Sequence, residues 1–153
     1  MHRTISRFIF FFFFITGYTH AVEPSLHELD SIYQQCRERG KKNPVTLPSS
    51  NDWFWTLNND DKATVLIYLN EQAMNRCTES EVDKLAIKAF HLAVEGNRSF
   101  LDTLIAARTT TLQPLQQLWI DSHRDELNRL SELPGLQMPF SLSQYFKAIS
   151  EKK

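Results

Sequence analysis

Two cysteines, Cys36 and Cys77, are the only thiols in 153 residues, and each continues an apolar stripe at helical spacing. Leu26, Leu29, Tyr33 and Cys36 follow one another at intervals of three, four and three, and Leu66, Leu69, Ala73 and Cys77 at three, four and four. Side chains so spaced share one face of a helix. A Cys36–Cys77 bond would therefore tie two packed helices face to face, a geometry a disulfide accepts when the faces meet. It closes a loop of about 40 residues, worth ~4 kcal/mol in the chain-entropy model.

Such a bond needs an oxidising compartment, and the N-terminus supplies the reason to expect one. Arg3 and Arg7 precede the uninterrupted apolar run Phe8 to Ile15, and Thr19 and Ala21 place small residues where a signal peptidase reads. Residues 1–21 are thus expected to be a signal peptide and residues 22–153 the helical domain. The alternative, a retained anchor, meets the objection that the apolar run is far shorter than the ~20 residues a membrane-crossing helix needs. No cysteine lies near the cut to carry a lipid, and no stable membrane span is expected after cleavage. The expected location is secreted or periplasmic. A redox-active role for the cysteines is disfavoured, because such pairs are usually close in sequence as C-x-x-C.

Cleavage leaves 132 residues, the size of one domain, and removes two arginines but no acid. The remaining 15 basic and 18 acidic side chains give a formal charge of -3, which argues against nucleic acid as a partner.

The helical pattern continues along the chain. Ser25 caps the first helix, and Gly40 ends it beside the basic cluster Arg37, Arg39, Lys41 and Lys42, which offsets the helix dipole. Pro44 and Pro48 deny the next stretch a continuous helix, with a short turn expected from Asp52 to Leu57 capped by Ser50 or Asn51. A helix from Asp60 is expected to end near Cys77. The string Thr78-Glu79-Ser80-Glu81 reads as a capping box opening another, with Val82, Leu85, Ala86, Ala89, Phe90 and Ala93 on its apolar face. Further helices are expected from Ser99, weakening through Thr109 to Thr111, and from Pro114. The latter should be the longest, with Leu115, Trp119, His123, Leu127 and Leu130 on one stripe until Pro134-Gly135 stops it. Ser141 with Gln144 opens the last. No segment alternates with period two, so the expected fold is all-α, a single small bundle of five or six amphipathic helices with one disulfide.

Motifs for chemistry are weak. Asp121-Ser122-His123 holds the residue types of a hydrolase triad, but neighbours on one helix do not face each other. His27, His91 and His123 are too dispersed for a recognisable metal motif, so no metal, cofactor or catalytic residue is assigned. The acidic pairs Asp60-Asp61, Glu79-Glu81 and Asp125-Glu126 are explained by solvation and helix dipoles. Asn97-Arg98-Ser99 is a glycosylation sequon in a eukaryotic setting.

The run Trp53-Phe54-Trp55 is the candidate binding feature. Three successive rings diverge in direction and cannot all enter one core, so at least one should be partly exposed as an anchor for a partner. The alternative is a loop whose rings plug the open end of the bundle. The leading functional expectation is an exported, non-enzymatic protein that binds another protein. Two rivals are a small glycan-directed hydrolase using distant residues such as Asp52, Asp60 or Glu81, and a carrier of an apolar molecule lined by Met74, Phe90, Phe100 and Trp119. Intact-mass measurement of the exported protein should give a chain beginning at Val22, and persistence of Met1 on that material would refute the signal-peptide reading.

Overall fold

The computed structural model describes residues 25–109 and 113–152. The expected signal peptide and the residues Thr110 and Thr111 lie outside that set. Among the described residues there are six α-helices and no strand: α1 (Leu26–Lys42), α2 (Asn59–Val94), α3 (Ser99–Arg108), α4 (Pro114–Ser122), α5 (Arg124–Ser131) and α6 (Leu142–Glu151). The architecture is the expected all-α bundle.

Local chemistry explains most of the boundaries. The Ser25 hydroxyl accepts from the Glu28 N–H to start α1, Asn58 does the same for Asp61 at α2, and Ser141 for Gln144 at α6. Gly40 does not end α1, which runs on to Lys42. Its role is proximity: a Cβ there would lie 3.0 Å from the Pro139 carbonyl carbon, so glycine lets α1 approach the segment before α6.

Two further expectations about helix ends are corrected. The capping box at Thr78 does not open a new helix, because α2 passes through it and spans 36 residues, making it the longest element. Thr78 is buried, and its hydroxyl donates to the Met74 carbonyl at 3.0 Å, satisfying itself within the helix rather than capping one. With no proline or glycine between Asn59 and Val94, nothing forces a break.

Conversely, the helix expected from Pro114 is divided at His123, whose backbone (φ -116°, ψ 20°) leaves the helical region. Its N–H bonds the Ile120 carbonyl one residue short of the α-helical partner. The abandoned Trp119 carbonyl is instead within 2.7 Å of Ser122 Oγ and 2.8 Å of His123 Nδ1. The proposed five-residue stripe is accordingly split: Leu127 and Leu130 are buried, while Leu115 is exposed. The short turn after Pro48 is a 3-10 helix over Trp53–Thr56, and its cap is Asp52 rather than Ser50 or Asn51.

Apolar side chains form two clusters strung along α2. The first gathers Phe54, Val65, Leu66 and Leu69 with Ile120, Leu127, Leu130, Leu136, Phe140, Tyr145 and Ile149. The second joins Leu29 of α1 to Val82, Leu85 and Ala89 of α2 and Phe100 and Leu104 of α3. Phe90, expected on that buried face, is 59% exposed. The buried stripe runs through Val82, Leu85 and Ala89, and Phe90 lies about 100° further round the helix.

Polar clamps hold the loops over the first cluster. The Tyr145 hydroxyl accepts from the Thr46 N–H and lies 3.1 Å from the Gly135 carbonyl, to which it donates. The Asn43 side-chain amide donates to the carbonyls of Gly135 and Pro139, and Arg76 to those of Leu136 and Gln137.

Cys36 and Cys77 are bonded, with their Cα atoms 6.1 Å apart, tying α1 to the middle of α2. Replacing both with serine should lower the free energy of unfolding by ~4 kcal/mol in a denaturant titration. A loss below ~1 kcal/mol would show that the cross-link does little to restrict the unfolded chain.

Candidate functional site

The aromatic triplet divides as its geometry requires. Phe54 is buried in the first cluster, whereas Trp53 and Trp55 are half-buried against its edge and meet different neighbours. Trp55 meets the Phe54 ring edge-on, donates from Nε1 to the Pro48 carbonyl, and carries Lys152 Nζ 4.3 Å above its ring. Its ring is thereby committed to structural contacts.

Trp53 faces a different set of neighbours. Its ring stacks on His123 and Trp119 at centroid separations of 5.3 and 6.2 Å, and His123 and Trp119 stack on each other at 4.3 Å. Three rings contributed by the 3-10 turn, α4 and the α4–α5 junction thus form one aromatic ledge. On α4, Leu115 and Leu118 share a face with Trp119 by their three- and four-residue spacing and are 80% and 65% exposed. The ledge therefore continues outward as an apolar strip.

Asp52 anchors the turn that carries this ledge. One carboxylate oxygen caps the Phe54 N–H at 3.0 Å, and both take hydrogen bonds from Arg129 of α5, at 2.7 and 2.9 Å. Arg129 also pairs with Glu126. The hydrogen bonds from Arg129 hold the Asp52 carboxyl below its ordinary range, against the opposing effect of burial.

The structure brings Ser122 Oγ within 3.0 Å of His123 Nδ1 at the junction of α4 and α5. The contact does not make a nucleophile. Nδ1 lies 2.8 Å from the Trp119 carbonyl, which only accepts, so Nδ1 must carry the proton and is not free to take one from serine. Asp121 is held by Arg124 and Gln117 instead of orienting the imidazole.

Of the carboxylates expected for a hydrolase, Asp60 and Glu81 do not converge. Asp52 serves Arg129, Glu81 pairs with Lys84, and Asp60 and Glu81 are 21 residues apart on one helix. That spacing is about 30 Å along the axis, against the ~5–10 Å between carboxyls that glycoside hydrolysis uses. The four residues expected to line an apolar cavity are also dispersed: Phe90 is exposed, Phe100 lies in the second cluster, Trp119 borders the first and Met74 lines a polar pocket. Among the described residues, no group of three or more His, Cys, Asp or Glu side chains is placed to hold a metal.

That polar pocket escaped the sequence reading. It is an open pocket of about 310 Å³ walled by Tyr33 and Arg37 of α1, Asn70, Glu71 and Asn75 of α2, and Arg108 at the end of α3. Burial pushes the Glu71 carboxyl above its ordinary value. The only sequence signal was positional: Tyr33 and Arg37 flank Cys36, and Met74 precedes Cys77 by one helical turn.

Comparison of the chain with protein families, with curated proteins and with solved structures gives no match.

The Asp52–Arg129 pair sets the expected response to acid. Because the folded carboxyl titrates below the unfolded one, its stabilisation is complete above the ordinary Asp value of about 3.9 and is lost as pH falls through the lower folded value. Replacing Arg129 with methionine should move the Asp52 titration upward in carboxyl-resolved NMR, and the variant, less stable at neutral pH, should lose less further stability than wild type as pH falls below the ordinary Asp value. An unmoved Asp52 titration would remove this pair from the account.

Proposed function

We propose that this chain is an exported, non-enzymatic protein that acts by binding another protein, secreted or retained in the periplasm. The Cys36–Cys77 bond supports export, since such cross-links persist in oxidising compartments. The N-terminal pattern of residues 1–21 points the same way. No helix among the described residues is long and apolar enough to cross a membrane.

The observation that carries the binding reading is the strip formed by Leu115, Leu118 and Trp119 and continued by His123 and Trp53. Burying two exposed leucines beside a stacked tryptophan gains apolar area at small entropic cost, because the rings are already fixed by one another. Aromatic anchors ringed by aliphatic contacts are the usual energetic centre of a protein interface. Of the triplet Trp53, Phe54 and Trp55, this reading uses Trp53 as the anchor. Phe54 supports it from the core, and Trp55 is occupied by Pro48 and Lys152. The partner it fits offers an apolar ridge of its own and little net charge, since the ionic groups beside the ledge are already paired as Asp52–Arg129–Glu126 and Asp121–Arg124.

The test is capture of partners from the protein's own compartment with wild type, a Leu115→Ser, Leu118→Ser double variant and a Trp53→Ala variant. The leucines are largely exposed, so the double variant should keep its melting temperature while binding falls at least about tenfold, the loss of ~1.4 kcal/mol or more of contact energy. Equal recovery of every partner by all three proteins would overturn the assignment of this surface.

A further inference from the structure

The described residues contain three buried side-chain polar atoms without a hydrogen-bond partner: Tyr33 Oη, Glu71 Oε2 and Arg108 Nη2. All three belong to residues lining the 310 Å³ pocket between α1, α2 and the end of α3. Unsatisfied buried polar groups are costly and few in folded proteins, so their gathering at one cavity calls for a physical cause. A ligand seated there would supply the missing partners after small rotamer adjustments.

The chemistry of the walls defines that ligand. Arg37 and Arg108 bring two guanidinium groups, which recognise a carboxylate by paired N–H donors. The nearest acid to Arg108 is Asp83, at 3.8 Å, too long for a hydrogen bond. Glu71 brings a carboxyl that makes no ion pair with a described residue. A simple anion would satisfy the arginines and be repelled by Glu71, and a simple cation would meet the reverse penalty. A molecule carrying both charges answers both walls. The volume lies at the small end of the range for small-molecule sites.

We infer that this pocket binds a small zwitterion of the α-amino-acid class, its carboxylate held by Arg37 and Arg108 and its ammonium by Glu71. Tyr33 and the side-chain amide nitrogens of Asn70 and Asn75 supply neutral hydrogen bonds around it. The Asn70 oxygen is already engaged by the Phe140 N–H, which fixes that side chain's orientation. The disulfide is part of the site's construction. Cys36 lies between Tyr33 and Arg37 on α1, and Cys77 lies one turn beyond Met74 on α2, so the bond fixes the separation of the two walls. This site is separate from the aromatic ledge, and neither reading depends on the other.

Calorimetric titration of the disulfide-bonded protein with each of the twenty proteinogenic L-α-amino acids tests the assignment. At least one should bind saturably at one per chain. Its N-acetyl derivative and its carboxamide should each bind at least about tenfold more weakly, because each lacks one of the two charges. Glu71→Gln should weaken the parent amino acid by a similar factor while leaving its N-acetyl derivative unaffected. Arg37→Gln, at an exposed position, should weaken the parent and keep the fold even if Arg108→Gln does not. Absence of binding by all twenty up to about 10 mM, a Kd above which site occupancy has little meaning, would overturn the inference. So would binding insensitive to both Glu71→Gln and Arg37→Gln.

Discussion

Thr78 sits fully buried halfway along α2, its hydroxyl turned back onto the Met74 carbonyl, and the helix passes through it unbroken. This continuity is the constraint on which the other elements depend. At 36 residues, α2 is about 54 Å long, enough to serve two apolar clusters in succession. Its first half packs under α5 and α6, and its second half against α1 and α3. Had the capping-box pattern opened a new helix, the clusters would have been free to reorient about the joint. Instead they share one rigid axis, and the disulfide joins α1 to that axis near its centre.

The interruption at His123 works in the opposite sense. Ser122 and His123 replace a lost backbone hydrogen bond at the Trp119 carbonyl with side-chain donors, so the chain changes direction without leaving that acceptor empty. The turn lets Leu127 and Leu130 enter the core beside Ile120, while the start of α4 keeps Leu115 and Leu118 turned to solvent. It also brings an imidazole into contact with two tryptophans that contact each other. One local departure from helical geometry thus produces both the fit of α5 and the exposed strip beside it.

Much of the fold was legible in the sequence because it depends on local chemistry. Ser25 and Ser141 cap as their hydroxyls dictate, Pro114 occupies a helix start, and the two cysteines meet, although Leu29 packs in the second cluster while Leu66 and Leu69 pack in the first. What misled was the ambiguity of short motifs. A Thr followed three residues later by Glu caps a helix only if the threonine backbone is extended, and burial between two clusters keeps Thr78 helical instead. The exposure of Phe90 has a similar origin, since a six-residue apolar pattern is wider than the face that α1 and α3 cover. The polar pocket was illegible for a different reason. Tyr33, Glu71 and Arg108 are ordinary helix residues far apart in sequence, and only the packing of three helices shows that they share a cavity.

The two clusters draw on different lengths of chain. The second is closed by residues from Leu29 to Leu104, joined by the sequential hairpins of α1 with α2 and α2 with α3. The first needs Phe54 and Val65 together with Tyr145 and Ile149, and its loop clamps link Asn43 and Thr46 to partners more than 90 residues later. In a chain that emerges from its N-terminus, the second cluster has all its parts once α3 has appeared, whereas the first waits for α6. Until then Val65, Leu66 and Leu69 on the early half of α2 lack the cover that Tyr145 and Ile149 complete, and the interval before the last helix arrives is when this chain most needs shielding from its neighbours.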